Sequence, residues 1–210
     1  MEFTIRVDGI KYTAAQNNID EYIEDVLFNI KHPSESSSNN FQIISDCEDV
    51  TKYLLDKIIK NHPEFELFDL STIQELSLKQ LLQKAENIPM IVYGFEKYID
   101  FINDKFYNNA TCTVCGKIYK EAQKKFYTVL ELGKDSFFAK FKTHLIFIMS
   151  EEEYEAFINL ADDFASYYPE NFDFNRALYS EEYENESLSD YLIYVKRGLT
   201  QHKKRKDDKK

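Results

Sequence analysis

The chain has 210 residues, 43% hydrophobic and 15% aromatic, which is too apolar for a disordered polymer and long enough for one α/β domain to bury a real core. Its formal charge of −11 is unevenly spread: residues 196–210 hold eight Lys/Arg against two Asp, leaving +6 there and −17 on the 195 residues before them. An acidic body of that size repels phosphate backbones, three cysteines argue against a disulfide scaffold, and no apolar run reaches the ~20 residues of a membrane span; we expect a cytoplasmic protein without a leader or membrane anchor.

In chain order, "FTIRV" and "IKYT" flank Asp8-Gly9, a pair suited to the positive-φ positions of a tight hairpin turn. Ile19, Tyr22, Ile23, Val26, Leu27 and Ile30 then recur at helical spacing, which predicts a helix over residues 18–31. The polar run "HPSESSSNN" marks an internal boundary, so residues 1–40 read as an N-terminal hairpin and helix. Residues 41–180 read as the main α/β domain, 181–199 as a C-terminal helix and 200–210 as a disordered basic tail.

From Phe41 onward, short apolar runs alternate with amphipathic segments, the pattern of parallel βα units. Strands are predicted over 41–45, 65–69, 89–93 and 144–149, with 172–174 as a fifth, and helices over 50–61, 72–85, 96–107, 117–132, 136–142 and 151–167. "PMIVY" and "HLIFIM" are nearly continuous apolar runs, as strands covered on both faces require, and belong at the middle of the sheet. The C-terminal helix is predicted over 187–199, with Leu188, Tyr191, Leu192 and Val195 on one side and Ser187 placed to cap it.

Glycine stands only at 9, 94, 116, 133 and 198, so neither G-x-G-x-x-G nor G-x-x-x-x-G-K-[ST] can be drawn, and no glycine-rich loop cradles a phosphate. H-E-x-x-H and G-x-S-x-G are also missing, and the four histidines lie in unrelated contexts. Four features carry candidate chemistry. In "IISDCEDVTKYLL" a strand ends in a turn crowded with carboxylates, where ligands of parallel sheets bind; Asp46 is the candidate ligand contact there, against the alternative that these acids cap a helix. In "PMIVYGFEKY" the strand is followed by Glu96, a candidate for orienting a cation or water, against the alternative of a second helix cap. Cys112-Thr-Val-Cys115-Gly-Lys is half of a zinc site, which a second copy of the chain would have to complete; the alternatives are a redox pair or two unliganded cysteines in a loop. Phe95, Tyr98, Phe101, Phe106, Tyr107, Phe126, Tyr127, Phe137, Phe138 and Phe141 should be mostly core, with any exposed surplus marking a partner interface.

In their order, "FQIISDCEDVTKYLLDKI", "FELFDLS", "IPMIVYGFEKYID", a variable helical insert and "FFAKFKTHLIFIMSEEEYEAFINLADDFASYYPENFDF" resemble the degenerate P-loop, AAA-like domain of bacterial STAND-type signalling and phage-defence proteins. The likeness covers residues 41–174, and "DDFASYYPENFDF" resembles the acidic-aromatic run that precedes the fifth strand there. A weaker likeness is to small accessory proteins of phage-restriction systems. The resemblance implies a three-layer P-loop-like fold on a mostly parallel sheet of four to five strands, and a role in a multi-protein system. The phosphate-loop position holds "SDCEDVTK", and the Cys112–Cys115 insert departs from the pattern.

These readings lead to a non-catalytic scaffold that binds a protein partner in a bacterial defence or signalling complex, with no cofactor. Two rivals stand beside it. One is a nucleic-acid-associated factor using a Cys112/Cys115 zinc knuckle, a homodimer and the basic tail; the other is an acidic phage-encoded inhibitor that imitates DNA.

Overall fold

The computed structural model of the chain describes residues 2–7, 10–32, 40–73, 78–138, 143–168 and 170–175. The Asp8-Gly9 turn, the polar run 33–39, and the C-terminal helix and tail lie outside them. Strands β1 (Glu2–Val7) and β2 (Ile10–Ala15) pair antiparallel, Phe3 opposite Ala14, and lead directly into helix α1 (Gln16–Lys31). Ile19, Ile23, Val26 and Ile30 form the buried stripe of α1, as the spacing predicts.

The five apolar runs after residue 40 become β3 (Phe41–Ile44), β4 (Glu66–Asp69), β5 (Met90–Tyr93), β8 (Leu145–Met149) and β9 (Glu170–Asp173). They form one parallel sheet in the order β4-β5-β8-β3-β9, with pairs such as Phe68 opposite Val92, Ile91 opposite Ile146 and Ile43 opposite both Ile148 and Phe172. "PMIVY" and "HLIFIM" supply two of the three internal strands, and β8 is the central one.

Alternation along the strands divides the core in two. Leu145, Phe147 and Met149 of β8, with Met90 and Val92 of β5, face α3 (Leu78–Ala85), α4 (Phe95–Tyr107), α5 (Glu121–Phe138), α6 (Glu151–Leu160) and the short α7 (Asp162–Ala165). Ile146, Ile148, Ile91 and Ile43 face α1 and α2 (Glu48–Asn61), together with Phe3 and Ala14 of the N-terminal hairpin. The protein is therefore a three-layer α/β fold carrying an N-terminal antiparallel hairpin. Each fully buried Ile, Leu or Phe in these layers contributes roughly 1.5–3 kcal/mol by leaving water. Phe147 sits among Phe95, Phe157 and Tyr168 at ring separations of 5.0–5.8 Å.

The helix predicted over 117–132 starts later than its pattern suggests. Thr111–Val114 (β6) and Lys117–Lys120 (β7) form a second hairpin, and α5 begins only at Glu121. Its two-residue turn is Cys115-Gly116, both at positive φ (50° and 82°), the backbone a tight hairpin turn demands. The two helices predicted over 117–132 and 136–142 meet in α5, which continues to Phe138. In the segment predicted as helix over 72–85, a 3₁₀ turn (Leu70–Thr72) precedes α3, and the helix predicted over 151–167 breaks at Ala161 between α6 and α7.

Candidate functional site

All five strands of the main sheet run the same way, so the carboxyl ends of β4, β5, β8 and β3 open on one edge. A groove of about 350 Å³ crosses that edge, walled by the turns after each of the four strands: Ser45 and Asp46, Asp69 and Ser71, Tyr93 to Lys97, and Met149 to Ser150, with Thr51, Lys52 and Leu55 from α2. This is the position at which parallel sheets bind ligands. It brings Asp46 and Glu96 to the same groove and leaves Cys112 and Cys115 on the β6–β7 hairpin, outside its lining.

The link from β3 to α2 is only three residues long, Ser45 to Cys47, and its polar atoms are consumed internally. Ser45 Oγ donates to the Cys47 carbonyl at 3.3 Å and accepts from Thr51 Oγ1 at 3.1 Å. Asp46 does not cap the helix that follows it. One carboxylate oxygen accepts from the backbone N–H of Glu151, at the start of α6, at 3.1 Å, and the other accepts from Asn175 Nδ2 at 2.5 Å. The Asp46 N–H in turn donates to Asn175 Oδ1 at 2.9 Å. Asp46 is thus a bracket joining the ends of β3, β8 and β9. Helix α2 has Cys47 at its cap position, with no side-chain cap bond, and carries Glu48 and Asp49 in its first turn, where they favour the helix dipole and oppose an incoming anion.

On the opposite wall, Gly94 adopts φ of +79° and lets α4 start hard against the turn after β4. A Cβ there would lie 2.6 Å from Asp69 Oδ1, which accepts from the Ser71 N–H at 2.9 Å and from its hydroxyl at 2.6 Å. Glu96 lies in the first turn of α4 but makes no capping bond; the cap residue is Gly94. Burial pushes the Glu96 carboxyl above its ordinary range, and the neighbouring Asp100, Glu152 and Asp46 push the same way against Lys120. Glu48 is held by Lys52 at 3.1 Å and Lys97 at 3.6 Å. The groove therefore presents four carboxylates and two lysines, the lysines both engaged with Glu48.

Cys112 and Cys115 occupy different surroundings. Cys112 packs against the core beneath the hairpin, where burial and the Glu121 carboxylate raise its thiol, whereas Cys115 is exposed at the turn. Among the described residues no group of three or more His, Cys, Asp or Glu is placed to hold a metal ion. Of the aromatic set, Phe95, Tyr98 and Tyr127 are buried, while Phe101 and Phe106 are exposed beside Lys105, whose ammonium lies 5.1 and 5.0 Å from their ring centres. The side chains of Phe137, Phe138 and Phe141 lie outside the described residues.

Two residues of the region were not singled out in the sequence. Asn175 is one, and its partner Asp46 stands 129 positions away. Glu153 is the other, and nothing in "SEEEYEAF" distinguishes it from its acidic neighbours. No protein-family model matches the chain, and comparisons with curated proteins and with solved structures return no match. No helix among the described residues is long and apolar enough to cross a membrane.

Proposed function

We propose that the protein is a non-hydrolysing interaction module that acts by binding a protein partner within a multi-protein assembly. The observation that carries this reading is the β3–α2 link. A phosphate-binding loop needs about eight residues of glycine-rich backbone whose N–H groups converge on an anion. Here three residues span the gap, and the carboxylate of one of them brackets β3 to α6 and Asn175. Glu48 and Asp49 add negative charge at the helix start where a triphosphate would dock. The strand order, with β8 between β5 and β3, supports the P-loop-like ancestry implied by the resemblance, and loss of the phosphate loop leaves such a fold as a rigid platform.

Calorimetric titration with ATP, ADP and GTP in the presence of magnesium tests the reading. We expect no saturable heat at nucleotide concentrations up to about 1 mM, a Kd weaker than about −4 kcal/mol of binding free energy. Micromolar binding, or turnover lost on Glu96→Gln, refutes it.

A further inference from the structure

Among the described residues Glu153 is the only acid with a fully buried side chain. It stands three residues after Ser150, which caps α6 by accepting from the Glu153 N–H at 3.3 Å. That spacing is the one at which a glutamate reaches back over the helix start, but this side chain turns inward to α5. One oxygen accepts from Gln123 Nε2 at 2.9 Å and the other from the Tyr127 hydroxyl at 2.7 Å. The Gln123 amide cannot turn over, because its own oxygen accepts from the Lys120 N–H at 2.9 Å. The Tyr127 ring is wholly buried, 5.8 Å from Phe157 and 5.3 Å from Phe126.

Both donors are neutral, and their bonds favour the ionised carboxyl against the larger effect of burial; when the carboxyl takes up a proton, its O–H donates to the Tyr127 oxygen and the Gln123 bond is kept. The charges that act on Glu153 are Lys120 at the end of β7 and Glu152 beside it on α6, and Lys120 is already bound to Asp100 of α4 at 2.8 Å and to Glu152 at 3.4 Å. From α5 the titratable group facing it is Tyr127, held protonated by burial and by Glu153 itself; on α7, Asp163 is engaged by Lys134 of α5. A carboxylate in this position is dry and lacks a cation of its own, the arrangement in which burial costs most.

We propose that Glu153 is a proton-operated clasp on α5: neutral, it fastens α5 and the β6–β7 hairpin to α6, and ionised, it favours their transient release. The physical cause is hydration. In the closed molecule burial raises the carboxyl from 4.5 to about 7, and opening returns it to water and to its ordinary range. The opening equilibrium of this side of the molecule therefore rises about tenfold between pH 6 and pH 8 and levels off above that. This local opening leaves the layers built on α1 and α2, across the sheet, closed.

Amide hydrogen exchange of the whole chain at pH 6 and pH 8, corrected for intrinsic exchange, tests the clasp. Protection of α5 and β7 amides that exchange by local opening should fall about tenfold, while α2 amides that exchange by their own local fluctuations, below the global unfolding limit, stay unchanged. Glu153→Gln should abolish the difference, and Glu152→Gln, at an exposed neighbour, should keep it. Equal α5 protection at the two pH values, or a pH dependence that survives Glu153→Gln, overturns the proposal. Should the variant fail to fold, carbon-13 titration of the wild-type Glu153 carboxyl decides: a midpoint near 7 upholds the clasp, and one below about 5.5 overturns it.

Discussion

Replacing Gly94 by alanine isolates the steric demand at the groove. Two costs add. The first is backbone: φ of +79° is the left-handed region, where a residue with a Cβ is strained by roughly 1–2 kcal/mol. The second is contact: the new methyl would stand 2.6 Å from Asp69 Oδ1 and 3.0 Å from the Ser71 nitrogen, so it must break the bond by which Asp69 caps the 3₁₀ turn, a loss of about 1 kcal/mol. Gly116 supplies an internal control, for it has nearly the same φ, +82°, and open space where its Cβ would go. Gly116→Ala should cost only the backbone part, and Gly94→Ala about 2–3 kcal/mol, lowering Tm by about 5–10 °C in a chain of this size. Urea unfolding of both variants, followed by circular dichroism, reads the two numbers and their difference. Equal losses would refute the steric argument, and a Gly94→Ala protein as stable as the parent would refute both parts.

Asp46→Ala should cost about 1–2 kcal/mol in the same assay, because it removes the acceptor of the buried Asn175 amide and leaves the exposed Glu151 N–H to water; an unchanged urea midpoint would remove the bracket. Tyr168→Phe should be neutral or stabilising by about 1 kcal/mol, since the Tyr168 hydroxyl is buried without a hydrogen-bond partner; a loss above 1 kcal/mol would reveal one. Global stability should fall as pH rises from about 4.5 to about 7. The folded-state pKa of Glu153 is raised, so its penalty is absent while the group is protonated in both states and complete once it ionises in both. The drop attributable to Glu153 is about 3 kcal/mol, read as the difference between parent and Glu153→Gln denaturation midpoints across that range, and parallel pH profiles for the two proteins would contradict it.

The strands of the main sheet are legible because burial on both faces writes itself as consecutive Ile, Val, Phe and Met, and α1 is legible because one face of it is wet. The β6–β7 hairpin is less so. "TCTV" and "KIYK" have strand composition around a Cys-Gly turn, but Ile118 and Tyr119 fall in helical phase with Ala122 and Phe126, and the longer pattern absorbs the shorter one. Ile118 also points outward, 73% exposed, so its apolar character does not report the core. Asp46 and Glu96 could be placed at one groove from strand order alone, since parallel strands deliver their C-terminal turns to one edge. The use of Asp46 could not: its partners come from 105 and 129 positions away, a separation over which composition and periodicity carry no signal. Glu153 is hidden for a related reason, because three consecutive glutamates at a helix start read as solvated charge and only the neighbouring helix decides which one turns inward.

The central strand β8 places its odd-numbered residues, Leu145, Phe147 and Met149, on one side and its even-numbered residues, Ile146 and Ile148, on the other. It is the common wall of two hydrophobic chambers, and pulling it out floods both. The local release proposed for α5 can proceed alone, but heat or denaturant strong enough to dislodge this strand should dissolve both sides of the sheet in a single cooperative event.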